Sequence, residues 1–148
     1  VLEEHSNKWF NLDCNSPYML LVSDLNKNKL ISQEKKKYSS LSSINQIRSK
    51  VPSITHINNS ARIQTVTKST NPLYYDLIKE FFNITNTPLI INTSFNIRGE
   101  PIVCTPEDAY RCFMGTNLDI LVLENFIIEK NSRQKTIQVD YKNKFNLD

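Results

Sequence analysis

The sequence predicts an α/β or α+β fold, a mixed sheet covered by two main helices. Three observations predict it. Asn71-Pro72 and Thr105-Pro106 are complete helix-start signals, a capping side chain followed by proline at the first helical position. Short β-branched and apolar runs bounded by turn residues supply the strands. A chain of 148 residues, 39% apolar and 22% charged, is long enough to bury one domain's core without disulfides or metal.

Taken in order, residues 1–10 read as a helix anchored by Leu2, Trp9 and Phe10. The chain begins at Val1 and opens directly into this pattern without a capping lead-in, which reads as a piece of a longer protein, a trimmed chain being the alternative. Asn15-Ser16-Pro17 breaks the chain, and Tyr18 to Val22 reads as a short buried strand. Residues 26–50 are basic and polar, with Glu34-Lys35-Lys36-Lys37 and serines over 39–43. They read as a long surface excursion, with a functional lid as the second reading. Residues 54–57 and 61–67 alternate like strands, with Asn58-Asn59-Ser60 as the turn between them.

Asn71 then caps a helix running to about residue 84, whose Leu73, Leu77, Phe81 and Tyr74, Ile78, Phe82 rows give a broad apolar face. Leu89-Ile90-Ile91 reads as a buried strand. The second helix starts at Thr105, with Asp108 placed as the acid of a capping box, Ala109, Cys112 and Phe113 as its inner face, and Gly115 as its stop. Ile120 to Leu123 and Phe126 to Glu129 form two strands around Glu124-Asn125. The domain is expected over 1–130 and a polar tail over 131–148, where Thr136 to Tyr141 could add an edge strand.

Composition excludes several function classes. A net charge of +3 is too small to argue for nucleic acid. No apolar run is long enough to span a membrane. Cys14, Cys104 and Cys112 form no CxxC or Cys/His cluster, so neither a zinc site nor a disulfide framework is implied, and reduced cytoplasmic thiols are expected.

The segment Asn92-Thr93-Ser94-Phe95-Asn96-Ile97-Arg98-Gly99-Glu100-Pro101 carries the chemistry. It gathers hydroxyls, side-chain amides and one guanidinium around one of the chain's two glycines. Such a loop can surround an anion, phosphate above all, with N–H groups, hydroxyls and a fixed charge. It can equally be a polar turn in which Gly99 supplies a positive φ. Arg62 lies between Ala61 and Ile63 and so faces away from them, beside Gln64; a polar site or a solvent-facing strand edge both fit. His56 is either structural or a phosphate or acid/base contact, and His5 is read the same way. Cys104, before a helix cap, could be a nucleophile, although no base stands near it in sequence.

The run from Asn92 through Thr105-Pro106-Glu107-Asp108-Ala109 resembles the C-terminal motif of the O-carbamoyltransferases of nodulation-factor and antibiotic tailoring. Val1-Leu2-Glu3-Glu4-His5, Ser16-Pro17-Tyr18-Met19-Leu20, Thr55-His56, Ser60 to Val66, Leu118-Asp119 and Phe126 to Lys130 resemble that family in the same order. The loop is more distantly similar to that of the threonylcarbamoyl-adenylate synthases, where the positions of Thr93, Ser94 and Asn96 contact the adenylate.

The resemblance implies a YrdC-like twisted sheet, incomplete at its N-terminus, in a cytoplasmic, biosynthetic transferase. It implies ATP and carbamoyl phosphate as co-substrates and carbamoyl-adenylate as the product, with transfer to a small-molecule or glycan hydroxyl by a separate N-terminal domain of actin-like ATPase fold. That partner domain would hold the Mg or Fe, and none is expected on this chain. Arg62, Ser94 and Arg98 become the candidate catalytic residues. Asn92, Thr93, Ser94, Asn96, Arg62 and His56 become the candidate ligand contacts. The chain departs from the family in lacking a Lys/Arg-rich segment ahead of Val1, and its 26–50 stretch is longer and more basic. The alternative is therefore a non-catalytic or degenerate fragment that binds a nucleotide or docks on a partner.

Overall fold

The computed structural model describes residues 1–31 and 46–130, so the middle of the basic excursion and the C-terminal tail, with its candidate edge strand, lie outside the described residues. The class is α+β. The described chain parts into two compact units, Val1–Ile91 and the residues from Asn92 onward. Its strands are gathered into two antiparallel pairs rather than one mixed sheet.

The first unit is held by its N-terminus. Helix α1 spans Glu3–Trp9, with Glu3 and Glu4 in the first turn and Lys8 in the last, the arrangement that complements a helix dipole. Leu2 precedes it without a side-chain cap. The N–H groups a helix start leaves unsatisfied are met instead by other segments: Leu2 N–H donates to the Pro88 carbonyl at 3.0 Å and Glu3 N–H to the Val66 carbonyl at 3.1 Å. Leu2 and Val66 form an isolated parallel bridge. The predicted anchors Leu2, Trp9 and Phe10 are all buried.

Strand β1 (Leu21–Asp24) pairs antiparallel with β2 (Ser60–Ile63), Val22 opposite Arg62. The expected buried strand from Tyr18 to Val22 is corrected on two counts. Ser16 is tied down by its N–H on Thr65 Oγ1 (2.9 Å) and its hydroxyl on the Ile63 carbonyl (2.8 Å). A turn follows with Met19 at φ 56°, so the strand starts only at Leu21, and Tyr18 and Leu20 are about four-fifths exposed, at 81% and 80%. Residues 54–57 are not a strand either. Pro52–Ile54 make one 3-10 turn, and the Thr55 hydroxyl bonds to Ser49 Oγ at 2.7 Å and to the Val51 carbonyl at 2.8 Å, local bonds that compete with a ladder. Beyond β2, residues 64–67 leave the sheet, apart from the Val66 bridge.

The described ends of the basic excursion are clamped together. Leu30 bridges Ser49, Ile31 N–H donates to the Arg48 carbonyl, and Lys50 N–H donates to the Lys29 carbonyl.

Helix α2 spans Pro72–Thr85 as predicted, with Asn71 accepting Tyr74 N–H at 3.2 Å and Asn86 closing it in the left-handed region. One apolar row, Tyr74, Ile78 and Phe82, packs with Leu2, Val66 and Ile90. The other row, Leu73, Leu77 and Phe81, is exposed. The segment Leu89-Ile90-Ile91 belongs to no strand, and only Leu89 of the three is buried.

Among the described residues, the second unit is a loop, one helix and one hairpin. Helix α3 (Pro106–Gly115) buries Ala109, Cys112, Phe113 and Met114. Strands β3 (Ile120–Leu123) and β4 (Phe126–Glu129) pair around the predicted Glu124-Asn125 turn, with Glu124 at φ 50°. Leu121, Leu123 and Ile128 meet Phe113, Phe95 and Val103 in one core. Lys130 Nζ closes the C-terminus of α3, donating to the carbonyls of Phe113 and Thr116 and lying 4.5 Å from the Phe113 ring.

Candidate functional site

The loop 92–104 is fixed at both ends and braced in the middle. At one end, Val103 N–H donates to the Phe95 carbonyl at 3.0 Å, and both side chains join the core on α3. At the other, Thr105 caps α3 by accepting Asp108 N–H at 3.1 Å. The capping box is reciprocal: the hydrogen bond from Thr105 first, then those from backbone N–H groups of Cys104 and Thr105 and the charge of Arg111, hold the Asp108 carboxyl below its usual range.

Between these anchors the chain turns at Ile97–Glu100. Gly99 sits at φ 86°, the left-handed region where only glycine avoids a steric cost. Glu100 N–H donates to the Ile97 carbonyl at 3.0 Å, and Ile97 N–H reaches Glu100 Oε2 at 3.4 Å. Asn96 Nδ2 donates to the Glu100 carbonyl at 2.8 Å and the Ile97 carbonyl at 3.4 Å. Asn92, Thr93, Ser94 and Arg98 are exposed on this frame, whereas Glu100 is only 9% exposed.

A cleft of about 550 Å³ opens beside the loop, lined by residues 93–97, by Cys112 of α3 and by residues 116–118 after it. Phe95, Ile97 and Leu118 give it apolar walls, and Thr93, Ser94, Thr116 and Asn117 give it hydroxyls and amides. Cys112 carries a thiol whose pKa is raised, by burial first and by the neighbouring Glu100 carboxylate second. A thiol so placed is a poor nucleophile. The cleft lies beside the C-terminal end of α3, and among the described residues no group of three or more His, Cys, Asp or Glu could hold a metal ion. A cleft of about 630 Å³ in the first unit is lined by Glu3, Glu4 and Asp13 and has the wrong charge for an anion.

The other candidates lie in the first unit. Arg62 is exposed on β2 between buried Ala61 and Ile63, as its place in the strand predicts. Gln64 beyond it donates to the Pro17 carbonyl at 2.9 Å. His56 is exposed in the turn before β2, where Nδ1 meets Ser60 Oγ at 2.9 Å, and Ser60 Oγ in turn donates to Asn58 Oδ1 at 2.7 Å. His5 packs on Phe82 with ring centroids 4.6 Å apart, and burial lowers its pKa. Cys104 is exposed, its thiol donating to the Ile102 carbonyl. The structure thus groups Asn92, Thr93, Ser94, Asn96 and Arg98 on one loop of the second unit, and carries Arg62 and His56 on the first.

Sequence reasoning missed Glu100, Cys112 and the stretch 116–118. Glu100 could have been suspected, since a carboxylate between Gly99 and Pro101 has little helix or strand role. The wall at 116–118 had no signal beyond following the glycine that ends α3.

A family model described as "Carbamoyltransferase C-terminus" matches residues 1–130. An uncharacterized protein of Synechocystis sp. is 48% identical over 151 residues, taking in 100% of this chain and 25% of that protein. Nodulation protein NolO of Bradyrhizobium diazoefficiens is 47% identical over 77 residues, 52% of this chain and 14% of its own length. Nodulation protein NolNO of Sinorhizobium fredii is 33% identical over 135 residues, 89% of this chain and 17% of its own. The chain spans a quarter or less of the length of these relatives.

Proposed function

The chain belongs to the carbamoyltransferase family, as its C-terminal domain, and from that premise we propose that it is the part of a carbamoyltransferase that binds ATP and carbamoyl phosphate and forms carbamoyl-adenylate. The observation that carries this reading is the loop 92–101: Arg98 is exposed on its braced turn, and exposed Thr93 and Ser94 line a mostly apolar cleft of about 550 Å³. A cleft of that volume is within the range of ligand pockets, roughly 300–1,000 Å³, and a planar base suits its apolar walls. Hydroxyls and a guanidinium suit phosphate and carbamoyl oxygens.

In this reading Ser94 and Thr93 donate to the adenylate, and Arg98 offsets its charge. On the first unit, Arg62 and His56, the latter hydrogen-bonded to Ser60, are the contacts for carbamoyl phosphate that the resemblance offers. Adenylation needs no acid–base dyad, because positioning and charge dominate such transfers. Water would release phosphate from carbamoyl phosphate to leave carbamate, whose oxygen would attack the α-phosphorus of ATP and expel pyrophosphate, giving carbamoyl-adenylate. Transfer to a hydroxyl acceptor, on a small molecule or a glycan, would belong to an N-terminal domain of actin-like fold in the cytoplasm.

The test is a carbamoyl-phosphate-dependent ATP/pyrophosphate exchange assay on the full-length protein. Ser94→Ala and Arg62→Ala are each expected to lower exchange by about tenfold or more, as removal of a charge-stabilising donor does. Unchanged exchange in both variants would reject the assignment.

A second reading, a partner-docking module, is favoured by the exposed apolar rows. Leu73 and Leu77 on α2, and Ile120, Val122 and Ile127 on the hairpin, face solvent. If docking is the whole function, mixing with the N-terminal domain would form a complex while the chain itself binds no ATP.

A further inference from the structure

We propose that Asn96 and Glu100 are positioning residues: they lock the loop onto itself, so that Thr93, Ser94 and Arg98 meet the ligand and Asn96 does not. The inference rests on reading the loop as an adenylate site, and it changes the part given to Asn96, a ligand contact by resemblance.

The argument begins with the Asn96 amide. Its two neighbours, the carbonyls of Glu100 and Ile97 at 2.8 and 3.4 Å, are both acceptors. Only the nitrogen end can face them, so the orientation of this amide is fixed by its partners. Both of its N–H donors are then directed into the loop, and none is left for a phosphate oxygen. Asn96 is also half-buried, whereas Thr93, Ser94 and Arg98 are exposed.

Glu100 completes the brace from the other side. A buried carboxylate under an anion site repels the ligand and needs a reason to be there. Here its backbone and side chain both bond to Ile97, N–H to carbonyl at 3.0 Å and Oε2 to N–H at 3.4 Å. With the two Asn96 bonds, to the Glu100 and Ile97 carbonyls, four hydrogen bonds close the turn around Gly99. Cys112 sits against Glu100 from α3. The turn is thereby keyed to the helix that carries the cleft's far wall, which gives the exposed side chains a fixed base. Preorganised donors of this kind are what adenylation requires.

The experiment uses the 148-residue chain and has two readouts, amide hydrogen exchange without ligand and ATP affinity by titration. Asn96→Ala is expected to speed exchange at Ile97 and Glu100 about tenfold and to weaken ATP binding by a similar factor. Glu100→Ala should do the same. Glu100→Gln keeps an acceptor for Ile97 N–H and should stay within about twofold of wild type in both readouts. Exchange in Asn96→Ala that matches wild type, with ATP binding weakened, would make Asn96 a direct contact and overturn the proposal. So would a Glu100→Gln variant that behaves like Glu100→Ala. If wild-type chain binds no ATP, the adenylate reading falls, while exchange in the same variants still decides whether the brace exists.

Discussion

Helices α2 and α3 begin alike and end differently. Each has a polar cap and a proline at its first position, and in each the cap accepts a backbone N–H, Asn71 from Tyr74 and Thr105 from Asp108. Yet α3 buries Ala109, Cys112, Phe113 and Met114, whereas α2 buries Ile78 alone and leaves Leu73 at 85% and Leu77 at 59% exposed. Caps are local, so they follow from a few consecutive residues. Burial depends on what the rest of the molecule offers, and this chain spans 25% of its Synechocystis relative. Apolar periodicity therefore marks a face that wants a partner, and the packing decides whether this chain supplies it.

The sharpest way to break that comparison is to truncate buried and exposed apolar side chains on each helix. Phe113→Ala should destabilise the second unit by about 3–5 kcal/mol, and Ile78→Ala the first by about 2–5 kcal/mol. Leu77→Ala, one residue away from Ile78, should change stability by less than about 0.5 kcal/mol in this chain. Urea unfolding followed by fluorescence of Trp9, the one tryptophan, reads the first unit, and hydrogen exchange reads the second. A large loss in Leu77→Ala would mean that the exposed row is already covered.

What the sequence disclosed follows the same division between local and distant causes. Both caps, the Glu124-Asn125 hairpin and the inner face of α3 were legible because consecutive residues dictate them. So was the exposure of Arg62 between two buried neighbours, from strand alternation alone. Tyr18 to Val22 was misread because distant groups decide it, Ser16 being held by Thr65 and Ile63, and 54–57 because side-chain bonds of Thr55 to Ser49 and Val51 outcompete a ladder that strand alternation alone suggests. At the loop, the residue types and Gly99 were readable, but the brace was not. No pattern in sequence says that Asn96 turns its amide to Glu100 or that Glu100 points inward.

A smaller effect is expected at the far end of α3. Lys130 donates to the Thr116 carbonyl and to the Phe113 carbonyl, which also accepts from Thr116. Lys130→Met keeps the apolar stem over the Phe113 ring and removes the donors. It should cost the second unit about 1–2 kcal/mol, seen as faster exchange along residues 112–116. α2 ends differently, on Asn86 with φ 57° and its N–H on the Phe82 carbonyl. No lysine or arginine stands in its last turn.

The smallest predicted effects return to the shared starts. Asn71→Ala and Thr105→Ala should each cost about 1 kcal/mol, the usual loss for a capping side chain. If both helices are limited by their caps alone, the two losses should match. They should differ in one respect. Thr105 also supplies a hydrogen bond to the Asp108 carboxyl, so its removal should move that pKa back up toward its ordinary value, as ¹³C titration of the carboxyl would record. Asn71 has no acid in its first turn to respond in this way. Equal losses with a shift at Asp108 would leave burial as the whole difference between the helices. A markedly larger loss at Thr105 would mean that the cap of α3 also holds the loop that precedes it.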